Sequence, residues 1–273
     1  MIRGTHVVTS STSSTDASAV EMQPGDFVPR HIPLGAQALP GAGEAHVWFL
    51  ELSRLARPLR GALDGHVGAD DPAPFTRGQL RFARRFYLRL LLGAYLGLPG
   101  KAIKINRRNR GKPVLDATAH DENLFFSMAK SQDRLLVGFS TSCYLGVDLE
   151  PAQRRAHNAL GVSRRYFSPA ESAALAAYSP AQRDAAFLRV WACKEAVVKA
   201  SGHGIANRLC RFTVETDLER PAAVLDYDDP GLPEWSLAVM RPDAHFLGAV
   251  AAPAAGLEIS AFRLLPAPAS ADV

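Results

Sequence analysis

The spacing of apolar residues predicts two long helices, one in each half of the chain. From Thr76 to Leu96 the apolar residues recur at helical intervals, which places them on one stripe. This stripe consists of Leu80, Ala83, Phe86, Leu90, Leu91 and Ala94. A second helix begins at Ser179-Pro180 and runs to about Ala200. A shorter helix ends near Tyr178 and opens at Ser168-Pro-Ala-Glu171, which has the form of a capping box.

Segments rich in β-branched and aromatic residues predict strands around these helices. The predicted strands are His46–Leu52, Ala102–Asn106, Leu124–Ser127, Arg134–Ser140, Leu145–Leu149, Arg211–Glu215, Trp235–Arg241, Phe246–Ala251 and Leu257–Leu264. Lys130–Asp133 is predicted to form a turn, and Pro151–Ser168 a loop. Because strands alternate with helices in both halves, the pattern indicates an α+β fold of the α/β sandwich-like kind.

Composition suggests where the two halves begin and end. Residues 1–43 are rich in Ser, Thr, Pro and Gly, and lack the apolar core of a secretory signal, so they are predicted to be a disordered leader. The N-terminal half is then 44–144, the C-terminal half 145–265, and 266–273 a flexible tail. The longest apolar stretch is too short to span a bilayer, and three cysteines without CxxC spacing fit a reducing compartment. We therefore expect a cytoplasmic protein that does not enter a membrane.

Positive charge is concentrated in one segment. Residues 76–113 contain many Arg and Lys residues and no Asp or Glu, and Arg77, Arg81, Arg85 and Arg89 recur every four residues along one side of the first long helix. A basic stretch without acidic partners suggests an anionic ligand, which could be phosphate groups, nucleic acid or an acidic protein. A solvated helix face explains the same pattern.

One acidic motif lies at the end of a predicted strand. Asp148 and Glu150 are two residues apart, so their carboxylates point to the same face. Adjacent carboxylates repel each other unless a cation lies between them, and such hard oxygen ligands suit Mg²⁺. Taken alone, the pair is equally explained as a solvated strand end.

A second motif lies in the second long helix. Phe187, Trp191, Glu195 and Lys199 follow one another at four-residue steps, so one stripe passes from apolar core to charged groups. Taken alone, this stripe is a core aromatic pair followed by a surface Glu–Lys pair, which is worth only about 0.3–0.5 kcal/mol.

Together, the motifs resemble those of the 4′-phosphopantetheinyl transferases of the Sfp type. The segments are Gly111-Lys112-Pro113, Leu145-Gly-Val-Asp-Leu-Glu150, Tyr166-Phe-Ser-Pro-Ala-Glu171, Trp191-Ala-Cys-Lys-Glu-Ala196 with Lys199, and Gly202-x-Gly204. The resemblance covers roughly Trp48–Val214 and implies two similar α/β halves related by a pseudo-twofold axis, with coenzyme A between them. It implies Mg²⁺-dependent transfer of 4′-phosphopantetheine from coenzyme A to a serine of an apo carrier protein, with release of 3′,5′-ADP. Such carriers serve fatty-acid, polyketide and peptide synthesis.

The resemblance also implies roles for individual residues. Asp148, Glu150 and Glu195 would coordinate Mg²⁺ at the pyrophosphate of coenzyme A, and Lys199 would contact the phosphates and offset charge on the leaving group. The base that accepts the serine proton is Glu195 or Glu171, and the sequence leaves both open. Glu171 is explained equally well as the N3 residue of its capping box.

Further coenzyme A contacts follow from the same resemblance. Lys194 would support the acidic cluster, Lys112 would bind a phosphate, and Arg81 is the candidate contact from the basic helix. The chain departs from the family where the usual Ser-His-Ser appears as Ala129-Lys130-Ser131. Lys130, with Ser131 beside it, would therefore replace a partly charged histidine at the 3′-phosphate by a fixed cation.

The expected partner is an acidic apo carrier protein. Four arginines in the predicted loop could steer it, and a solvated basic loop explains them equally well. They are Arg154, Arg155, Arg164 and Arg165. A monomer without a nucleic-acid partner is expected. Two alternatives are a degenerate relative that binds coenzyme A without catalysis, which the missing Ser-His-Ser suggests, and a nucleic-acid-binding module that uses the Arg77–Lys112 stretch.

Overall fold

The computed structural model describes residues 5–7, 21–57, 74–107, 111–120, 123–202, 209–227 and 234–268. The strands in these ranges are β1 (Thr5–Val7), β2 (Val28–His31), β3 (Glu44–Glu51), β4 (Ile105–Arg107), β5 (Pro113–Leu115), β6 (Phe125–Ser131), β7 (Arg134–Ser140), β8 (Gly146–Pro151), β9 (Phe212–Val214), β10 (Val224–Tyr227), β11 (Ser236–Asp243), β12 (Phe246–Ala252) and β13 (Glu258–Leu265). The α-helices are α1 (Leu52–Ala56), α2 (Arg77–Leu96), α3 (Ala159–Tyr166), α4 (Pro169–Ala177) and α5 (Pro180–Ser201). This mixture confirms the predicted α+β class.

The larger sheet has the strand order β1-β13-β3-β7-β6. On the same edge of β13, β1 pairs with residues 258–260 and β2 with residues 262–265. β13 runs parallel to β3, so a strand from the end of the predicted C-terminal half lies beside the first strand of the N-terminal half. One face of the sheet packs against α1 and α2 through a core that contains Trp48, Tyr87 and Leu91. The other face packs through Val47 and Phe49 against the smaller sheet.

The smaller sheet has the order β11-β12-β8, and its strands are antiparallel. Alternate residues of β12 face opposite sides: Val250 belongs to the core shared with the larger sheet, and Ala249 to the core under α5. The two sheets therefore lie between α2 on one side and α5 on the other. β8 is an edge strand of the smaller sheet.

The first long helix is α2, but its predicted buried stripe was partly wrong. Thr76 caps the helix and Gly97 ends it in the left-handed conformation. Ala83 and Leu91 are buried as predicted, whereas Phe86 is 39% exposed and Tyr87 is buried in its place. The residues that face the sheet are the i, i+4 series through Ala83 and Tyr87, so the stripe is rotated away from Phe86.

The predicted loop 151–168 was also wrong, since it contains α3. Asn158 caps α3 by accepting a hydrogen bond from the amide of Gly161 at 2.9 Å. The helix was missed because it is short, basic and contains a glycine. The capping box of α4 is confirmed: the hydroxyl of Ser168 accepts from the amide of Glu171, and the Glu171 carboxylate accepts from the amide of Ser168.

Residues 21–43, predicted to belong to a disordered leader, are ordered. Met22 and Phe27 are buried in the core between the sheets, and the amide of Met22 donates to the carbonyl of Val239 at 3.0 Å. β2 then pairs with β13. Two buried apolar residues and this strand pairing hold the segment. Its average composition does not reveal them, because most of its residues are polar or small.

Several predicted features lie outside the described residues, namely leader residues 8–20, basic-loop residues 108–110, Gly204, and tail residues 269–273. The strand predicted at Ala102–Asn106 begins later, at Ile105, because a 3₁₀ turn occupies Gly100–Ala102. Within the described ranges, none of the helices has the length and apolar character needed to cross a membrane.

Candidate active site

β8 presents the two acids of the Asp-Leu-Glu motif toward α5. Strand alternation places Val147 and Leu149 in the core between the sheets, and therefore Asp148 and Glu150 on the opposite face. Asp148 is 7% exposed, and Glu150 is half-buried. Both carboxylates thus share one face, as the two-residue spacing predicts.

Gly146 allows α5 to lie directly on β8. A Cβ at this position would overlap the carbonyl oxygen of Ala196 and would lie 2.5 Å from the amide nitrogen of Ala200. Glycine is therefore required by close backbone approach. The contact brings Glu195 and Lys199, which are one turn apart on α5, against the acids of β8.

Burial and the charge of Asp148 raise the pKa values of its two acidic neighbours. Burial, and then the charge of Asp148, raises the pKa of Glu195 to about 7, while the nearby Lys199 opposes this shift. Burial also raises the pKa of Glu150, against an opposing hydrogen bond from Arg154. Acids packed this closely in a partly desolvated cleft favour either a bound proton or a shared cation.

Two cations bind the acids, and a third binds the backbone of Lys199. The ammonium of Lys199 donates to Oδ1 of Asp148 at 2.7 Å, and the guanidinium of Arg154 donates to Oε2 of Glu150 at 2.7 Å. Lys112 comes from the loop before β5 and donates to the backbone carbonyl of Lys199 at 2.5 Å. It thus lies at the C-terminal end of α5, where exposed carbonyls favour a cation.

The carboxylate oxygens of the cleft fit a hard divalent cation. Asp148, Glu150 and Glu195 supply three carboxylates, and Oδ2 of Asp148 is buried without a hydrogen-bond partner. As the side chains stand, no group of three His, Cys, Asp or Glu residues within the described ranges is arranged to hold a metal ion. Lys199 and Arg154 instead bind oxygens of Asp148 and Glu150 in this structure.

Glu171 and Lys194 lie apart from this cleft, in the core under α5. Both side chains are fully buried, and the ammonium of Lys194 donates to Oε1 of Glu171 at 2.6 Å and to the carbonyl of Phe212 at 2.7 Å. The same Oε1 accepts from the amide of Val214, and Oε2 accepts from Ser168. The structure does not bring Glu171 to the acidic cluster, and its oxygens already have partners that a substrate hydroxyl would have to displace.

The remaining predicted residues lie on other elements. Lys130 is exposed near the end of β6, and Ser131 follows it half-buried. β6 lies beside β8, since the amide of Val147 donates to the hydroxyl of Ser127 at 3.2 Å. Arg81 lies in a groove along α2 whose lining contains none of the other predicted site residues.

Sequence reasoning missed two contributors to the cleft. Gly146 carried a usable signal, because a glycine inside a strand pattern indicates close approach of another backbone. Arg154 carried none, since its contact with Glu150 depends on a turn in which the amide of Arg154 donates to the carbonyl of Pro151.

Comparison with known proteins agrees with these motifs. A family model described as the 4′-phosphopantetheinyl transferase superfamily matches residues 144–251. The 4′-phosphopantetheinyl transferase HetI of Nostoc sp. strain PCC 7120 is 31% identical over 214 residues, which cover 76% of this chain and 87% of HetI. AcpT of Salmonella typhimurium is 35% identical over 133 residues (49% of this chain, 64% of AcpT). A 4′-phosphopantetheinyl transferase of Bacillus subtilis is 29% identical over 161 residues (55% and 68%). The chain therefore belongs to the 4′-phosphopantetheinyl transferase superfamily and is an enzyme of that class.

Proposed function

We propose that this enzyme transfers 4′-phosphopantetheine from coenzyme A to a serine of an apo carrier protein, releases 3′,5′-ADP, and requires Mg²⁺. The observation that carries the proposal is the packing of α5 on Gly146. It sets Glu195 and Lys199 against Asp148 in a single cleft. A cluster of carboxylates with an adjacent lysine is suited to holding a metal ion and a pyrophosphate together.

In this proposal Asp148, Glu150 and Glu195 hold the metal. Bound Mg²⁺ would neutralise the pyrophosphate of coenzyme A and stabilise charge that develops on it. Lys199 leaves Asp148 and binds a phosphate oxygen, so its ammonium exchanges one anionic partner for another. The exposed fraction of the Lys199 side chain, 30%, gives it access to a ligand.

Glu195 is the better candidate to accept the serine proton. It lies in the cleft beside Asp148 and Lys199, where the serine would meet the pyrophosphate of coenzyme A. Glu171 is enclosed and accepts hydrogen bonds from Lys194 and from the amides of Ser168 and Val214. We therefore assign Glu171 and Lys194 a structural role, in place of the catalytic and coenzyme A-binding roles that the sequence suggested.

The other cations are assigned to the phosphates of coenzyme A. Lys112 is held beside Lys199 and would bind the pyrophosphate, and Lys130 with Ser131 would bind the 3′-phosphate. Arg81 remains a candidate contact, although its groove is separate from the cleft.

An acidic carrier protein would approach over α3 and the turn before it. Arg164 and Arg165 are exposed in the last turn of α3, and Arg165 lies over the ring of the exposed Tyr166. Arg154, which binds Glu150, connects this surface to the acids. Arg155 is exposed on the same turn.

The experiment that tests the function is a transfer assay with intact-protein mass spectrometry. The chain is incubated with an apo carrier protein, coenzyme A and Mg²⁺, and the carrier should gain one phosphopantetheine on its serine. Glu195→Ala should abolish the gain. The proposal fails if no carrier is modified, or if Glu195→Ala modifies the carrier as fast as the wild type.

A further inference from the structure

A second concave surface runs along the outer side of α2, and the proposed reaction accounts for none of its side chains apart from Arg81. This α2 groove has a volume of about 1020 Å³ and lies between α2, residues 34–36 and residues 97–101. The chain returns closely against α2 because Gly93 has no side chain: a Cβ there would overlap the carbonyl oxygen of Leu98. The groove side chains on which the proposal depends are Arg81, Phe82, Arg85, Phe86, Leu98 and Lys101.

The groove is rich in exposed apolar side chains. Phe82 is 49% exposed, Phe86 39% and Leu98 38%, and these are three of the six large hydrophobic residues exposed in the described part of the chain. The rings of Phe82 and Phe86 stack on each other, with centroids 6.3 Å apart and planes at 15°. Such a concentration of apolar surface in one groove is typical of a binding site.

The same groove is cationic. Among the described residues, no acidic side chain forms an ion pair with Arg81, Arg85 or Lys101, and residues 76–113 contain no Asp or Glu at all. Burial, and then the charge of Arg81, lowers the pKa of the neighbouring Arg84. The groove therefore lacks the negative charges that would balance it, and a ligand that supplies them is favoured.

Shape and charge narrow the choice of ligand. A second copy of this chain would bring Arg81 and Arg85 against the same cations, which costs free energy. A bilayer surface is flat and does not follow a concave groove. The 20 residues of α2 extend about 30 Å, which is the length of several helical turns of a partner.

We propose that the α2 groove binds an acidic amphipathic segment of the carrier-bearing substrate protein. Its apolar residues contact Phe82 and Phe86, and its carboxylates face Arg81 and Arg85. This proposal rests on the proposed function, and it adds a docking surface that is separate from the acidic cleft.

An apo acyl carrier protein serves as the probe, in steady-state transfer assays that vary the carrier and coenzyme A separately. The variants are the double variant Phe82→Ser/Phe86→Ser and the single variant Arg85→Glu, and the matched control is Leu225→Ser, another exposed apolar residue (59%) outside the groove. We expect both groove variants to raise the KM for the carrier at least tenfold, with kcat and the KM for coenzyme A unchanged. Arg85→Glu should also weaken the salt dependence of the carrier KM. The control should match the wild type, and the thermal unfolding midpoints of all variants should confirm that they are folded.

Two results would overturn the groove proposal alone: a carrier KM that the groove variants leave unchanged while the wild type transfers normally, or a rise confined to the KM for coenzyme A. The second result would assign the groove to the nucleotide. Failure of the wild type to modify any carrier would instead contradict the proposed function, and this proposal with it.

Discussion

The ammonium of Lys194 lies 2.6 Å from Oε1 of Glu171, and neither side chain is exposed to solvent. Burial lowers the pKa of Lys194, and the charge of Glu171 opposes that shift. This pair ties α5 to the start of α4 and, through Val214, to β9. Two residues of the recognised motifs therefore stabilise the scaffold behind the cleft.

A first prediction follows for Glu171→Gln. An amide has one acceptor oxygen where the carboxylate has two, so its NH₂ group must face one of the donors that Glu171 now accepts from. Removing one partner of a buried ion pair costs about 3–5 kcal/mol, and chemical denaturation should show a loss of this size. The kcat of the folded fraction should stay within a few-fold of the wild type. A stable Glu171→Gln variant without activity would instead make Glu171 catalytic.

The pKa of Glu195 predicts how the metal-free protein responds to pH. A folded pKa of about 7, against 4.5 for the free side chain, means that the folded state binds the proton more tightly. Stability in EDTA should therefore fall as pH rises from about 4.5 to 7, by up to about 3 kcal/mol. Glu195→Gln should remove this loss, so the variant should unfold at a higher temperature than the wild type at pH 8 and at a similar temperature at pH 5.

The control for this measurement is Glu219→Gln, which changes an exposed glutamate outside the cleft. It should shift the unfolding temperature little at either pH. A Glu195→Gln variant that is less stable than the wild type at pH 8 would show that the negative charge of Glu195 does not destabilise the metal-free cleft.

The elements that could be predicted from sequence are those whose local signals agree with their tertiary environment. α2, α4 and α5 have periodicity, caps or both, and β3 and β7 are apolar and buried over most of their length. α3 could not be predicted in this way because it is short, basic and contains a glycine, and β2 could not because long-range contacts determine it. The hydrogen bond of Met22 to Val239 is one of these, and no local pattern contains it.

The same distinction applies to the cleft. The acids of β8 could be assigned to one face from their spacing. The sequence could not decide whether Glu195 or Glu171 lies on that face. The answer depends on how α5 is rotated against β8, and the periodicity of the sequence does not specify this rotation. Once Gly146 fixes the contact, Glu195 lies beside Asp148, while Lys194, one residue earlier, points into the core toward Glu171.

Gly146→Ala tests this contact. The added methyl group would overlap the backbone of α5, so the helix must move away from β8. Overpacking of this kind costs about 1–3 kcal/mol, and the displacement should reduce kcat/KM more than the lost stability explains. Gly25→Ala is the matched control, because nothing lies within 4 Å of a Cβ at Gly25. Equal activity of the two variants would show that the close approach is not needed.

Lys130 should give the coenzyme A interaction a flat pH profile. Lys130→Ala should raise the KM for coenzyme A more than it lowers kcat, because a lost phosphate contact weakens binding first. Lys130→His should resemble Lys130→Ala at pH 8 and approach the wild type at pH 6, where the imidazole is charged. Lys104→Ala, at another exposed lysine, should leave both constants unchanged. A KM that is unaffected in Lys130→Ala would remove this residue from the site.

The carboxylate site is tested most directly by isothermal titration of coenzyme A into the wild type and into Asp148→Asn, each with Mg²⁺ and with EDTA. Wild-type affinity should be at least tenfold higher with Mg²⁺, because a metal held by the acids would offset the charge of the pyrophosphate. Asp148→Asn should bind coenzyme A with nearly the same affinity in both conditions. Equal wild-type affinity with Mg²⁺ and with EDTA, or full Mg²⁺ dependence in folded Asp148→Asn, would contradict a metal site at these acids.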